Sequence, residues 1–129
     1  MQENHHARQS AELIKGLLDA ARLFSQVAFP GEPFGSRADD LILFAALFVG
    51  QTEGRPMNHS KLATYAGLPR PTVIRKIAAL MERGAVVKIG DGYALTPSAV
   101  DGAAAGRVSK AVGRLLAKAA RASDATPVR

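Results

Sequence analysis

One side of the segment 70–83 carries side chains that could recognise an anion. At the helical step of about 100° per residue, this side holds two small side chains and three cations: Thr72, Arg75, Lys76, Ala79 and Arg83. Small side chains allow close approach, and cations pair with acceptors on bases or with phosphates, so the combination suits the major groove of DNA. The spacing therefore predicts a helix whose outer stripe binds double-stranded DNA.

The predicted contacts differ in kind. Arg75 could direct two donors to O6 and N7 of a guanine, whereas Lys76 and Arg83 could reach bases or phosphates. Arg70 stands at the start of the helix, where a phosphate contact is expected. Two residues outside the helix complete the predicted DNA-binding set: Asn58 and Lys88.

Two other interpretations stay open at this point. An amphipathic helix whose cations simply face water would have the same distribution of side chains around its axis. A winged helix that binds protein, as an adaptor or assembly module without DNA binding, predicts an apolar or mixed outer stripe. The stripe in this chain is cationic, which favours DNA over a protein partner.

Residues typical of catalysis or metal binding are few and scattered. His59 has no second histidine or carboxylate at metal-ligand spacing, and His5 and His6 lie near the start of the chain. Asp39 and Asp40 are adjacent, so in a helix they diverge by about 100°, which fits helix capping better than acid–base catalysis. The glycines form no phosphate-binding fingerprint. We therefore expect no enzymatic activity, no metal and no cofactor.

The formal net charge of +6 is distributed unevenly along the chain. Residues 57–90 hold six Lys/Arg and one Asp/Glu, a net +5, whereas residues 1–56 carry −2 and residues 91–129 carry +3. A localised positive excess is typical of a protein with a polyanionic partner. The chain has no cysteine, no signal-peptide core and no apolar run approaching the ~18 residues of a membrane span, so we expect a cytoplasmic protein outside the membrane.

Apolar periodicity predicts the helices that position this stripe. After a flexible segment 1–10, a helix is expected over 11–28. Ser36 is the expected N-cap of a second helix, which is apolar all round and therefore predicted to be the central buried one. A short helix capped by Asn58 follows, and Gly67 then provides a tight turn before the helix 70–83.

The second half of the chain predicts a small hairpin and a final helix. Strands are expected at 85–89 and 93–95 around Gly90-Asp91-Gly92, in which Asp-Gly is a strong hairpin signal. Thr96 is the expected N-cap of the last helix, assigned to 98–122 before a flexible tail 123–129. The fold class is thus mainly α: a winged helix-turn-helix domain over 36–97 with a β-hairpin wing, flanked by N- and C-terminal helices.

Four short motifs follow one another in the basic segment: Leu62-Ala63, Gly67-Leu68, Thr72-Val73 and Leu80 with Glu82-Arg83-Gly84. In this order they resemble the winged-helix core of bacterial MarR-type and IclR-type repressors, over about 40 residues. The Leu-Thr-Pro at 95–97 also resembles the MarR arrangement. The resemblance implies a transcription regulator that acts as a homodimer, with the terminal helices 11–28 and 98–122 forming the dimer interface. It identifies no small-molecule effector.

The predicted wing departs from the MarR pattern. MarR-type wings are usually longer and carry an Asp-x-Arg element whose arginine enters the minor groove. The wing of this chain spans only residues 88–93 and places Asp91, which would repel phosphate, at its tip. Lys88 is therefore the one wing contact that we expect.

Overall fold

Five helices and one β-hairpin form the part of the chain that this computed structural model describes, residues 2–99 and 102–125. In chain order they are α1 (Gln2–Ala28), α2 (Ala38–Thr52), α3 (His59–Ala66), α4 (Arg70–Glu82), β1 (Val86–Ile89), β2 (Gly92–Leu95) and α5 (Gly102–Ala125). Short 3-10 helices lie at Phe34–Arg37 and Pro97–Ala99. The structure confirms the predicted fold class, mainly helical with a two-stranded antiparallel wing.

The chain divides into two compact units. The terminal unit combines Met1–Phe24 with Gly102–Arg129, and the central unit is Ser25–Asp101. The central unit contains the whole predicted winged helix-turn-helix segment. No described helix is long and apolar enough to cross a membrane.

Helix α2 supplies the core of the central unit. Leu43, Phe44 and Leu47 are at most 1% exposed, because α2 packs against α3 and β2 on this side. Ile42 and Phe48 remain 47% and 37% exposed. The prediction of a central helix is therefore confirmed, but burial on every side is wrong, since this helix has a solvent-facing edge.

The start of α2 differs from the prediction. Ser36 lies in the preceding 3-10 helix, where its hydroxyl donates a hydrogen bond to the Pro33 carbonyl at 2.8 Å. The residue before α2 is instead Arg37, whose side chain makes no capping hydrogen bond. Asp39 and Asp40 occupy the first turn as predicted, where the helix dipole favours negative charge.

The turn between α3 and α4 is built by local sequence signals. The Asn58 side chain caps α3 by accepting a hydrogen bond from the Lys61 amide at 2.9 Å. Gly67 ends α3 with φ +71°, a left-handed conformation that glycine adopts at little cost. Pro71 lies in the first turn of α4, where its missing N–H would have had no helical partner. The predicted helix-turn-helix geometry is confirmed.

The wing is held to the rest of the central unit by backbone contacts. Strands β1 and β2 pair from Val86 opposite Leu95 to Ile89 opposite Gly92. The hairpin turn is Gly90-Asp91, within the predicted segment 90–92, and Gly92 already belongs to β2. Gly90 adopts φ +59°. The Tyr93 amide donates a hydrogen bond to the Met57 carbonyl at 3.0 Å, which ties β2 to the segment before α3.

Both terminal helices differ in length from the predicted ones. Helix α1 begins at Gln2, so residues 2–10 are helical where a flexible segment was predicted. These residues include neither glycine nor proline, and several are good helix formers, which explains the extension. Helix α5 continues to Ala125, and residues 126–129 of the predicted tail lie outside the described residues.

The predicted N-cap of the last helix is wrong. Thr96 instead precedes a 3-10 helix, and its hydroxyl donates a hydrogen bond to the Gly84 carbonyl at 2.8 Å. The Thr96 amide bonds to the Ala85 carbonyl at 2.9 Å. Thr96 therefore closes the base of the hairpin, and α5 is described from Gly102 onwards.

Candidate nucleic-acid interface

Helix α4 presents one buried face and one outward stripe, as the wheel predicts. Val73, Ile77 and Leu80 are at most 5% exposed and anchor the helix to the central unit. On the opposite side Arg75 and Ala79 are exposed, and Thr72 is half-buried. Ile74 and Met81, predicted to lie with the apolar face, are 38% and 41% exposed because they lie at its margins.

Arg75 is an exposed cation of the stripe. Among the ion pairs of the described residues, none includes Arg75. Its neighbour along the stripe is Ala79, whose methyl group leaves room for close approach. An exposed guanidinium beside a small side chain could direct two donors to a guanine edge.

The Lys76 side chain forms an ion pair within the central unit. Its Nζ lies 2.8 Å from Oδ1 of Asp40, and both side chains are less than a fifth exposed, at 17% and 16%. Asp40 Oδ2 also accepts a hydrogen bond from Arg37 at 3.2 Å. Partial burial acts to raise the pKa of Asp40, but the hydrogen bonds and charges of Lys76 and Arg37 outweigh it, so the pKa is lowered. A phosphate contact by Lys76, as the sequence predicts, would have to replace this ion pair.

Arg83 also has partners within the central unit. It is the C-cap residue of α4, its guanidinium donates a hydrogen bond to the Ala28 carbonyl at 3.1 Å, and its Cζ lies 4.9 Å from the centroid of the Phe29 ring. These contacts engage the guanidinium in packing α4 against the end of α1. The DNA contact predicted for Arg83 stays a prediction.

A second basic region surrounds the start of α3. Arg70 Nε donates a hydrogen bond to Ser60 Oγ at 3.2 Å, which joins the start of α4 to the start of α3. The His59 ring lies 4.7 Å from that of Tyr93. Burial lowers the pKa of His59, and the positive charges of Arg70 and Lys88 lower it further. Arg70 and Lys88, two of the predicted DNA-binding residues, therefore both lie close enough to His59 to lower its pKa.

Three residues of this region were not predicted to bind DNA: His59, Ser60 and Lys61. Each follows the cap Asn58, and the free amides of a helix start attract anions. The cap itself was a usable signal. No signal in the sequence predicted the contacts of His59 with β2 and of Ser60 with α4, because these contacts join residues distant in the chain.

Asn58 was predicted to bind DNA, and the structure uses its side chain as the cap of α3. Replacing Asn58 with alanine should cost about 1 kcal/mol of unfolding free energy, because the Lys61 amide loses its acceptor. Asn58→Ser should keep most of the stability. Urea unfolding of the three proteins measures this, and equal midpoints would mean that the cap contributes nothing.

The environment of His59 predicts a pH dependence of stability. Its pKa in the folded protein is below the ordinary 6.5, so the folded state favours the neutral ring. This stabilising contribution is present above about pH 6.5 and is lost as the pH falls below that value, where the unfolded chain takes up the proton first. The melting temperature should therefore fall more steeply in the wild type than in His59→Gln as the pH is lowered from about 7.5 to about 5. Parallel curves would contradict this assignment.

The wing offers few groups to DNA. Lys88 is exposed on β1, and Asp91 is exposed at the hairpin tip. Val87 and Ile89 are also 43% and 53% exposed, so the outer side of β1 is largely apolar. These positions are compatible with a single wing contact through Lys88.

No cluster of three His, Asp or Glu side chains that could hold a metal occurs among the residues that the structure describes. The eight predicted positions fall into three groups: Arg75, Ala79 and Thr72 on the outward stripe; Arg70, Asn58 and Lys88 around the start of α3; Lys76 and Arg83 in intramolecular contacts.

Comparison with protein families finds a match to the IclR helix-turn-helix domain over residues 51–90. The matched segment contains α3, α4 and β1, and it covers less than a third of the 129 residues. No curated protein and no solved structure matches the chain significantly. The match agrees with the IclR-type part of the resemblance, and it includes every predicted DNA-binding position from Asn58 to Lys88. The central unit thus contains a winged helix-turn-helix segment similar to the IclR DNA-binding domain, which supports a DNA-binding transcription regulator.

Proposed function

We propose that the protein is a dimeric, sequence-specific transcription regulator that inserts α4 into the major groove of double-stranded DNA. The observation that carries the proposal is the outward stripe of α4, in which Arg75 has no ion pair with any described residue and adjoins Ala79. This stripe lies within the segment that matches the IclR helix-turn-helix domain. The repressor role and the MarR-like dimer come from the resemblance of the sequence.

The region around the start of α3 supports the same binding mode. Arg70 and Lys88 are cations outside the outward stripe, and the helix start adds exposed Ser60 and Lys61. Phosphate contacts fix the register of a protein on a duplex, whereas base contacts select the sequence. We assign this region to phosphate positioning and Arg75 to base selection.

The terminal unit supports the dimer. Ile14 and Leu17 on α1 are 55% and 58% exposed, and Leu116 on α5 is 64% exposed. Within this unit α1 and α5 approach closely at Gly16, where an added Cβ would lie 2.8 Å from Cδ1 of Leu115, and Lys118 pairs with Glu12 at 2.9 Å. Apolar side chains left exposed on two such helices are typical of an interface, and a second copy of the chain would cover them.

Two measurements test this proposal. Light scattering at micromolar concentration should give twice the chain mass of 13.6 kDa, and Leu17→Glu should shift the mass towards the monomer. Enrichment of a random duplex pool by the protein, followed by fluorescence anisotropy on the selected and scrambled duplexes, should show tighter binding to the selected sequence. A pool that never enriches would favour the protein-binding adaptor instead.

A further inference from the structure

A cavity of about 300 Å³ lies beside α4, between this helix and the start of α2. Its charged lining consists of four cations and one carboxylate: Arg37, Arg75, Lys76, Arg83 and Asp40. All of these residues belong to the central unit. The volume is at the lower end of the range for small-ligand sites, so the cavity suits a compact ligand.

Two of the cations are held in place by an aromatic ring. Cζ of Arg37 lies 5.0 Å and Cζ of Arg83 lies 4.9 Å from the centroid of the Phe29 ring. Arg83 is further fixed by its hydrogen bond to the Ala28 carbonyl at 3.1 Å, and Arg37 by its bond to Glu32 at 3.3 Å. Side chains held before a ligand arrives lose little conformational entropy on binding, which favours affinity.

The charges of the lining do not balance. Asp40 is its single carboxylate, and this residue is shared between Arg37 and Lys76. Arg83 is engaged by a neutral carbonyl and a ring, and Arg75 has no ion pair among the described residues. Even when Glu32, outside the cavity, is counted with Arg37, the cations outnumber the carboxylates by two. A compact dianion would restore neutrality.

We propose that this cavity is a binding site for a small dianionic ligand that carries phosphate or carboxylate groups, with Arg75 and Arg83 as its principal contacts. Guanidinium groups meet such groups with paired N–H donors, which makes their hydrogen bonds short and strong. Lys76 and Arg37, which already share Asp40, would add positive potential at the back of the site.

The position of Arg75 links this site to the outward stripe of α4. The same guanidinium lines the cavity and is assigned to base reading, so it cannot satisfy both partners at once. The bound anion should therefore compete with duplex DNA and act as an effector that releases it. This consequence rests on the proposed function, whereas anion binding by the free protein does not.

Isothermal titration of the full chain with inorganic pyrophosphate, at constant ionic strength and at a mildly acidic pH where pyrophosphate is mainly a dianion, tests the site directly. We expect saturable binding of one pyrophosphate per chain, weakened roughly tenfold by Arg75→Gln, since a charge-assisted contact is lost. Arg55→Gln removes an equal charge from an exposed position that does not line the cavity. This control should leave the affinity unchanged. Equal weakening by both substitutions, or no saturable heat in the wild type, would overturn the proposal.

A second variant separates a built site from general attraction. Asp40→Asn removes the carboxylate that repels the anion, so pyrophosphate should bind several-fold more tightly, and thermal melts would show whether the variant remains folded. If Asp40→Asn unfolds, Lys76→Gln takes its place and should weaken binding. Affinity unchanged in a folded variant would contradict the assigned lining.

Competition distinguishes a free anion from DNA phosphate as the occupant. Pyrophosphate added to the complex with the selected duplex should displace the DNA, and the half-displacing concentration should rise with the duplex concentration, as competition for one site requires. Binding without displacement would overturn the link through Arg75 but not the site. If no duplex is ever selected, the proposed function fails, and the titration of the free protein still decides on the anion site.

Discussion

Replacing Arg75 with alanine should weaken binding to the selected duplex by roughly 1–3 kcal/mol per half-site, the range for a bidentate contact with guanine. In a dimer this amounts to roughly 2–6 kcal/mol if both half-sites contribute equally. The reason is that Arg75 projects from α4 without an ion pair to any described residue, so a guanine edge could engage its full fork of donors. Fluorescence anisotropy with single-base substitutions should show lost discrimination at one base pair per half-site.

Two matched variants make this result specific. Arg75→Lys keeps the charge but lacks the planar fork, so it should retain binding to scrambled duplex while losing base discrimination. Arg8→Ala removes an exposed arginine of the terminal unit and should leave sequence preference unchanged. If Arg75→Ala melts like the wild type and still prefers the selected duplex, α4 does not read the major groove. The adaptor interpretation would then take precedence.

Gly92→Ala should destabilise the central unit by roughly 2–3 kcal/mol, near the upper end of the range for overpacking a tight site. A Cβ on Gly92 would overlap the backbone carbonyl of Pro56, which is not the end of a flexible side chain and cannot turn away. Relief would require β2 to move from this segment, at the expense of the hydrogen bond from the Tyr93 amide to the Met57 carbonyl. Urea unfolding, monitored by circular dichroism, measures the loss.

The neighbouring Gly90 provides the control for this prediction. It also lies in the hairpin, but a Cβ there would meet nothing within 4 Å, and its requirement is a φ of +59°. Asparagine tolerates this conformation better than most residues, so Gly90→Asn should cost less than about 1 kcal/mol. A loss at Gly92 no larger than the loss at Gly90 would mean that the approach of Pro56 does not constrain this position.

Local signals in the sequence predicted much of the helix-turn-helix. The buried side of α4 follows from the spacing of Val73, Ile77 and Leu80, because periodicity reports which side of a helix meets the core. The cap Asn58 and the left-handed Gly67 follow from residue chemistry within a few positions. Such features depend on the chain near them, so one sequence is sufficient to predict them.

Contacts between distant parts of the chain were not predictable in this way. The helical wheel places Lys76 and Arg83 on the outer side of α4. It cannot show that Lys76 contacts Asp40, 36 positions earlier in the chain, or that Arg83 contacts Ala28. Gly92 shows the same limit. The sequence predicted a turn residue at this position, but glycine is needed there because β2 closely approaches Pro56. The residue pattern predicts on which side of a helix a side chain lies, whereas the residues that it contacts depend on how distant segments pack together.

The ion pair between Lys76 and Asp40 has a consequence for the counterions around the protein–DNA complex. A cation that binds phosphate releases counterions condensed on the duplex, and each such contact makes the affinity fall more steeply with salt, by about 0.9 in the logarithmic slope. Lys76 already has a carboxylate partner. Its transfer to a phosphate would leave one cation, Arg37, between two carboxylates, Asp40 and Glu32, and this negative excess would attract a cation from solution. The release and the uptake would largely cancel. The salt dependence of binding should therefore count Lys61, Arg70 and Lys88, which are assigned to phosphate contacts, but not Lys76, although all four carry the same charge.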